Sequence, residues 1–172
     1  WDKYYSINNM RLIRKIIYEN NIDKVFVSSP HMARYCIEAK KEFPKLKTLL
    51  REHNLEFKLA EQYYKSDVNY IYKKIALWQY KKAKKQEIKY WNFFDKVLFI
   101  SDNDFTIANK LATEDSDKFY VFYDGYEITC DNTLSFKHIN DGIIFPANLQ
   151  TLQNEFSFRW FIDKIWLPSL DL

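Results

Sequence analysis

Arg51-Glu52-His53-Asn54-Leu55-Glu56 gathers a guanidinium, two carboxylates, an imidazole and an amide directly after the apolar run Thr48-Leu49-Leu50. An imidazole donates or accepts a hydrogen bond near neutral pH, so His53 with its polar neighbours is the most promising centre of chemistry in the chain. If Thr48–Leu50 is a buried strand, the hexapeptide emerges at its carboxyl end, which is where open α/β sheets bind ligands.

Other arrangements are weaker or excluded. The two glycines, Gly125 and Gly142, are too few to write GxGxxG or GxxxxGK[ST], so a self-contained dinucleotide or nucleoside-triphosphate loop is not expected. Cys36 and Cys130 form no CxxC pair and lie near no histidine at metal-ligand spacing, which predicts two reduced structural thiols and no metal site. His31 follows Pro30 where a helix should begin and is placed to line the same edge as His53. His138 falls in a polar stretch, and neither completes a Ser-His-Asp arrangement that the sequence reveals.

A chain of 172 residues with 47% hydrophobic content buries one good core, or one core and the start of a second. No apolar run approaches the roughly 18 residues of a membrane span, and no secretory signal is visible. The first residue is Trp1 rather than Met, which suggests a piece of a larger protein. Charge is unevenly spread. Residues 1–94 hold 20 Lys and Arg against 10 Asp and Glu, and residues 95–172 hold 6 against 13. Such a division steers a polyanion or an anionic membrane surface toward the first half.

The elements that must position the hexapeptide follow from periodicity. Asn8 or Asn9 caps a helix with Leu12, Ile13, Ile16 and Ile17 at helical spacing, ending near Asn20-Asn21. Lys24–Ser28 is a strand, and Ser29-Pro30 opens a helix through Met32, Tyr35, Cys36 and Ala39 to Phe43-Pro44. After Thr48–Leu50, a helix runs from Leu55 to about Tyr64, and Ser66-Asp67 caps a long helix ending at Phe94. Lys96–Ile100 is the next strand, Ser101 or an early carboxylate caps a helix through Ala108 and Leu111, and Tyr120–Phe122 is a fourth strand. Residues 130–141 read as a linker, Gly142–Phe145 as a fresh strand, and Thr151–Trp166 as a helix stopped by Pro168. Strands alternating with helices imply an α/β, Rossmann-like, mostly parallel sheet with flanking helices.

The order of these pieces resembles one family. HN-x-E after a strand (His53, Asn54, Glu56) precedes a long helix with Glu87 and a Phe94-Asp95 pair. Next come KVLFIS-x-x-D with Ser101 and Asp104, then Asp124-Gly125 in place of the family's NGVD. Residues 143–167, with Asn154, Trp160, Phe161, Ile165 and Trp166, are similar to the opening of the family's second domain. The chain thus looks like a retaining family-four glycosyltransferase of GT-B fold, the likeness covering nearly all 172 residues.

That resemblance implies an incomplete N-terminal, acceptor-side domain over residues 1–129, the linker 130–141, and the first βα unit of the donor-side domain over 142–172. The implied activity is transfer of a sugar from a nucleotide-sugar to an acceptor hydroxyl with retention, without cofactor or protein-bound metal. His53 is the implied catalytic-site residue, facing the cleft toward the donor sugar. Asn54, Glu56, Ser101, Asp124 and Gly125 are the implied substrate-binding residues. The same family has roughly a hundred residues before this stretch and more than a hundred after it, so the chain alone is expected to be inactive and to self-associate through exposed apolar surface.

Ordinary structural roles compete with these. Glu56 suits a helix N-terminus, Glu87 and Asp95 suit packing or capping, and Ser101 and Asp104 suit a helix cap. Pro146-Ala147 stands where the family places a glycine beside the donor diphosphate, which favours a non-catalytic carbohydrate- or partner-binding module. On the long helix, Lys73, Lys74, Lys81, Lys82, Lys84, Lys85 and Lys89 alternate with Tyr72, Trp78, Tyr80, Tyr90 and Trp91. This pattern suits a cytoplasmic protein resting on the inner face of a membrane beside a glycan or lipid-linked acceptor. Nucleic acid is not an expected partner, since no RRM, KH or helix-turn-helix signature accompanies the lysines.

Overall fold

Val25, Val27, Leu50, Val97, Phe99 and Phe119 alternate with more exposed neighbours, a period of two that gives each run one face to bury. The computed structural model describes residues 4–65, 69–112, 117–125, 143–150 and 152–170. In it these runs become β1 (Lys24–Val27), β2 (Lys47–Glu52), β3 (Lys96–Phe99) and β4 (Phe119–Val121). They pair in parallel in the order β1-β2-β3-β4. Helices α1 (Ile7–Glu19), α2 (Ala33–Glu42), α3 (Glu56–Lys65), α4 (Tyr70–Phe93) and α5 (Asp102–Leu111) flank or link them. The fold is the α/β, Rossmann-like arrangement that the strand–helix alternation predicts.

β2 is longer than Thr48–Leu50: it continues through Arg51 and Glu52, so only the last four residues of the hexapeptide lie beyond the sheet. Thr48, Leu50 and Glu52 face the helices, as do Val97 and Phe99 of β3. Trp91 of α4 lies at the centre of this core, edge-on to both Phe99 and Phe119 at 5.9 Å. Cys36 is buried in the same cluster, and burial pushes its thiol up to about 12, consistent with a packing role; Cys130 lies outside the described residues. The opposite face carries Phe26, Leu49, Leu98 and Tyr120, and among the described residues of this unit no helix covers it. Parallel sheets are normally covered on both faces, which makes this an incompletely enclosed layer.

Local signals decide most helix ends, and tertiary contacts decide the rest. Pro30–Met32 forms a 3-10 turn leading into α2, and the Ser29 hydroxyl accepts the His31 N–H at 3.4 Å. α1 starts earlier than Asn8 or Asn9. Its N-cap position is Ser6, whose N–H donates to Tyr35 Oη at 2.7 Å while the Tyr35 hydroxyl donates to the Tyr4 carbonyl. A buried tyrosine from α2 therefore ties down the backbone just ahead of the helix, which starts at Ser6 without a side-chain cap of its first-turn N–H groups. α4 is capped by Asn69, whose side chain accepts the Ile71 N–H at 3.0 Å; Ser66 and Asp67 lie outside the described residues.

The chain divides into two units, Trp1–Tyr126 and Glu127–Leu172. The sheet belongs to the first. In the second, residues 130–141, His138 and Gly142 lie outside the described residues, and Ile143–Phe145 adopt no strand, with Ile144 88% exposed. An apolar run becomes a strand only with a neighbour to pair with, and no second strand occurs among the described residues of that unit. Helix α6 (Leu152–Phe161) passes through a π-helical turn, Ile162–Trp166, into a short helical turn, Leu167–Ser169. Pro168 thus sits within the helical path, with the change of hydrogen-bond period just ahead of it accommodating the missing N–H.

At the amino edge of the sheet, Asp95 joins two strand starts. Its carboxylate accepts the Thr48 N–H at 2.8 Å, the Thr48 hydroxyl at 2.9 Å and the Lys40 ammonium at 2.6 Å. Burial pushes this carboxyl up, but these three donors outweigh it and hold it below the usual range. The Phe94-Asp95 pair is therefore a structural clamp. Replacing Asp95 with Ala leaves the Thr48 N–H and hydroxyl without this partner, and urea unfolding should show a loss of about 1–3 kcal/mol; an unchanged midpoint would remove Asp95 from this role.

Candidate functional site at the carboxyl edge

Parallel pairing brings the ends of all four strands to one edge, with Glu52 level with Phe99 and Phe99 level with Val121. Beyond them come Ser29 and His31 after β1, His53, Asn54 and Glu56 after β2, Ser101, Asp102 and Asp104 after β3, and Asp124 and Gly125 after β4. The strands follow in sequence order without reversal, so the described sheet has no topological switch point to form a crevice. Instead the wall is built by the α3–α4 hairpin.

Three contacts fix that wall. Asp95 lies beside Thr48 at the start of β2, the Trp91 indole N–H donates to Glu52 Oε1 at 2.9 Å at the end of β2, and Glu87 receives the N–H groups of Glu56 and Phe57. Followed toward its N-terminus, α4 therefore travels up the sheet and past the carboxyl edge. Residues 70–86 lie beyond it, about 25 Å of helix at 1.5 Å per residue. α3 runs beside this overhang, and the two enclose a groove of about 460 Å³ lined by His31, Glu56, Tyr63, Trp78, Gln79 and Lys82.

Glu87 carries the geometry. Its two carboxylate oxygens accept the first two helical N–H groups of α3, each at 2.9 Å, which is side-chain capping from a different helix. It is fully buried: burial pushes its carboxyl up, the two N–H donors pull it back, and the balance rests at about 8. Glu52 is 1% exposed, and its Oε2 has no hydrogen-bond partner among the described residues. Burial and then the neighbouring Glu87 push its carboxyl well above the ordinary range, against the Trp91 hydrogen bond.

The predicted site residues fall out unevenly. His53 is half-exposed at the turn after β2, and Asn54 is exposed beside it. Glu56 is the first residue of α3, and its carboxylate lies 3.5 Å from Nε2 of His31, making His31 the imidazole directly paired with a carboxylate. The Ser101 hydroxyl accepts the Asp104 N–H at 3.1 Å and caps α5. Asp124 pairs with Arg51, which reaches across β3 on the open face and lies 5.9 Å over the Phe122 ring. Gly125 is exposed with open space around it and no positive φ, so its backbone does not require glycine.

Sequence reasoning left several members unassigned. Tyr123 donates to Asp102 at 2.6 Å, a hydrogen bond that raises the tyrosine's pKa. Arg51 and Glu52 turn out to be strand residues on opposite faces, one bridging to Asp124 and the other buried under Trp91. Among the described residues no cluster of His, Cys, Asp and Glu is arranged to hold a metal, and no helix is long and apolar enough to cross a membrane.

The edge is rich in carboxylates: Glu56, Asp102, Asp104 and Asp124 surround it. Three helix N-termini open onto it: the Pro30–Met32 turn leading into α2 has no acid in its first turn, whereas the other two are already supplied with acids, α3 by Glu87 and Glu56 and α5 by Asp102 and Asp104. A diphosphate would meet repulsion at those two instead of the usual helix-terminus attraction. The carboxylates, imidazoles and hydroxyls are suited to polyhydroxyl ligands.

No protein-family model, no curated protein and no solved structure matches this chain.

Glu52 and Glu87 both bind protons more tightly in the folded chain than at the unfolded value near 4.3. Folded stability is therefore greatest below about pH 4.5 with respect to these two groups and declines as pH rises toward 8, where the unfolded chain has released both protons. Thermal melts of Glu52→Gln, which keeps the Trp91 acceptor and removes the charge, should show a smaller decline between pH 5 and pH 8 than the parent. An equal or steeper decline would contradict the buried-acid account.

Proposed function

We propose that this chain is the acceptor-side part of a two-domain retaining glycosyltransferase, together with the beginning of its donor-side domain. One observation carries the reading: the three segments that resemble the family, His53–Glu56, Ser101–Asp104 and Asp124-Gly125, arrive at a single sheet edge. The carboxylate character of that edge supports an acceptor-binding role, because it favours hydroxyl groups and disfavours a donor diphosphate. In this reading the nucleotide-sugar is a second substrate whose phosphates are held by a donor-side domain.

Within the site, His53 positions the sugar undergoing transfer, and Asn54 and Glu56 orient hydroxyls beside it. Glu87 and Asp95 act on the chemistry only by holding the scaffold. The His31–Glu56 pair adds a hydrogen-bonding wall next to His53. A non-catalytic carbohydrate-binding module is the second reading, favoured by the irregular backbone of residues 143–148 and by Pro146-Ala147 within it.

The full-length gene product carrying this segment, screened against nucleotide-sugars with a panel of hydroxyl acceptors, separates the two. The enzymatic reading expects turnover that falls roughly 10- to 100-fold in His53→Ala through misplacement of the reacting sugar. Turnover unchanged by that substitution removes His53 from the site. Glycan binding without turnover of any donor selects the non-catalytic module.

A further inference from the structure

The outer half of the α3–α4 hairpin carries an exposed surface that continues outward from the groove and shares Tyr63, Trp78 and Lys82 with its lining. Tyr70, Ile71 and Tyr72 are 68%, 65% and 68% exposed, so the first turn of α4 has no covered side, and burial begins at Ala76. Ile75 and Trp78 extend the same exposed surface, with Tyr63 of α3 next to it. Large apolar groups clustered at such exposure mark an interaction surface.

Basic groups are interleaved with them. Lys74 lies over the Tyr70 ring at 4.6 Å and Lys82 over Trp78 at 5.0 Å, while Lys73, Lys81 and Lys85 project into solvent. Lys84 is set apart, packed toward Phe57 and Tyr80, and Tyr90 and Trp91 are core residues. The lysine–aromatic alternation of the sequence therefore divides into an inner structural part and an outer exposed part. The one acid of α4, Glu87, is buried at its inner end.

We propose that the outer end of this hairpin docks on an anionic lipid surface, with its tyrosines and isoleucines entering the headgroup region and its lysines meeting lipid phosphates. The composition suits that occupant. Tyrosine and tryptophan place an apolar ring in the interface with a polar end in water, and lysines beside them add attraction to anionic lipid. A second copy of the chain seated on the same patch would bring these lysines face to face. A nucleic-acid strand would have stacking use for the rings but none for Ile71 and Ile75. The overhang past the carboxyl edge also leaves the outer end clear of the sheet.

The proposal does not depend on the sugar-transfer reading. Its test is co-sedimentation of the 172-residue chain with vesicles of phosphatidylcholine alone or mixed with phosphatidylglycerol, at low and high salt. The chain should bind the anionic vesicles, release as salt rises, and ignore the neutral ones. Lys73→Glu with Lys74→Glu, and separately Tyr70→Ser with Ile71→Ser and Tyr72→Ser, should each weaken binding at least about tenfold. Thermal melts establish that each variant remains folded, and Ile71→Asp alone provides the same reading if the triple variant does not. No binding by the parent chain, equal binding to neutral vesicles, variants that bind like the parent, or a concentration-dependent dimer that hides these residues would overturn it.

Discussion

The two N–H groups of Glu56 and Phe57 end on the carboxylate of Glu87, and the rest of the site depends on that contact. A helix that begins directly after a strand has open donors at its first turn, and inside a protein they need a partner. Supplying the partner from α4 fixes both the start of α3 and the antiparallel alignment of the two helices. Glu56 is consequently held opposite His31, and the hairpin is directed beyond the sheet. Trp91 and Asp95, one and two turns further along, secure the same helix to the end and the start of β2.

The constraint has an energetic cost that the fold accepts. Two carboxyl groups, Glu52 and Glu87, occupy the core within one helical turn of Trp91. Burial disfavours the charged form of both, and the hydrogen bonds from the Glu56 and Phe57 N–H groups and from the Trp91 indole offset that cost while fixing where the helices start. The feature so fixed is where the wall of the edge stands. With strands in simple sequential order, the sheet alone would present a flat row of loop ends; the overhanging hairpin turns that row into a groove.

Much of this was legible in the sequence. Short β-branched and aromatic runs separated by helical spacing marked all four strands to within about two residues, because burial on one face requires that period. Ser101 was legible as a cap because capping is local. The Asn8 or Asn9 cap failed because Tyr35, distant in sequence, satisfies the backbone at Ser6. Glu87 reads as a packing or capping residue, but which helix it caps is decided only by the partner, and the His31–Glu56 pair joins residues whose proximity only the sheet register creates. The run Ile143–Phe145 had the composition of a strand, yet pairing is a property of two segments, and one segment's composition does not supply it.

Hydrogen exchange at the Glu56 and Phe57 amides tests the central claim most directly. Both should be protected in the parent chain and should lose protection at least about tenfold in Glu87→Ala, while β3 amides lose far less, since local opening then precedes global unfolding. Retained protection at Glu56 and Phe57, or an equal loss across the whole sheet, would contradict the view that this carboxylate sets the position of the hairpin.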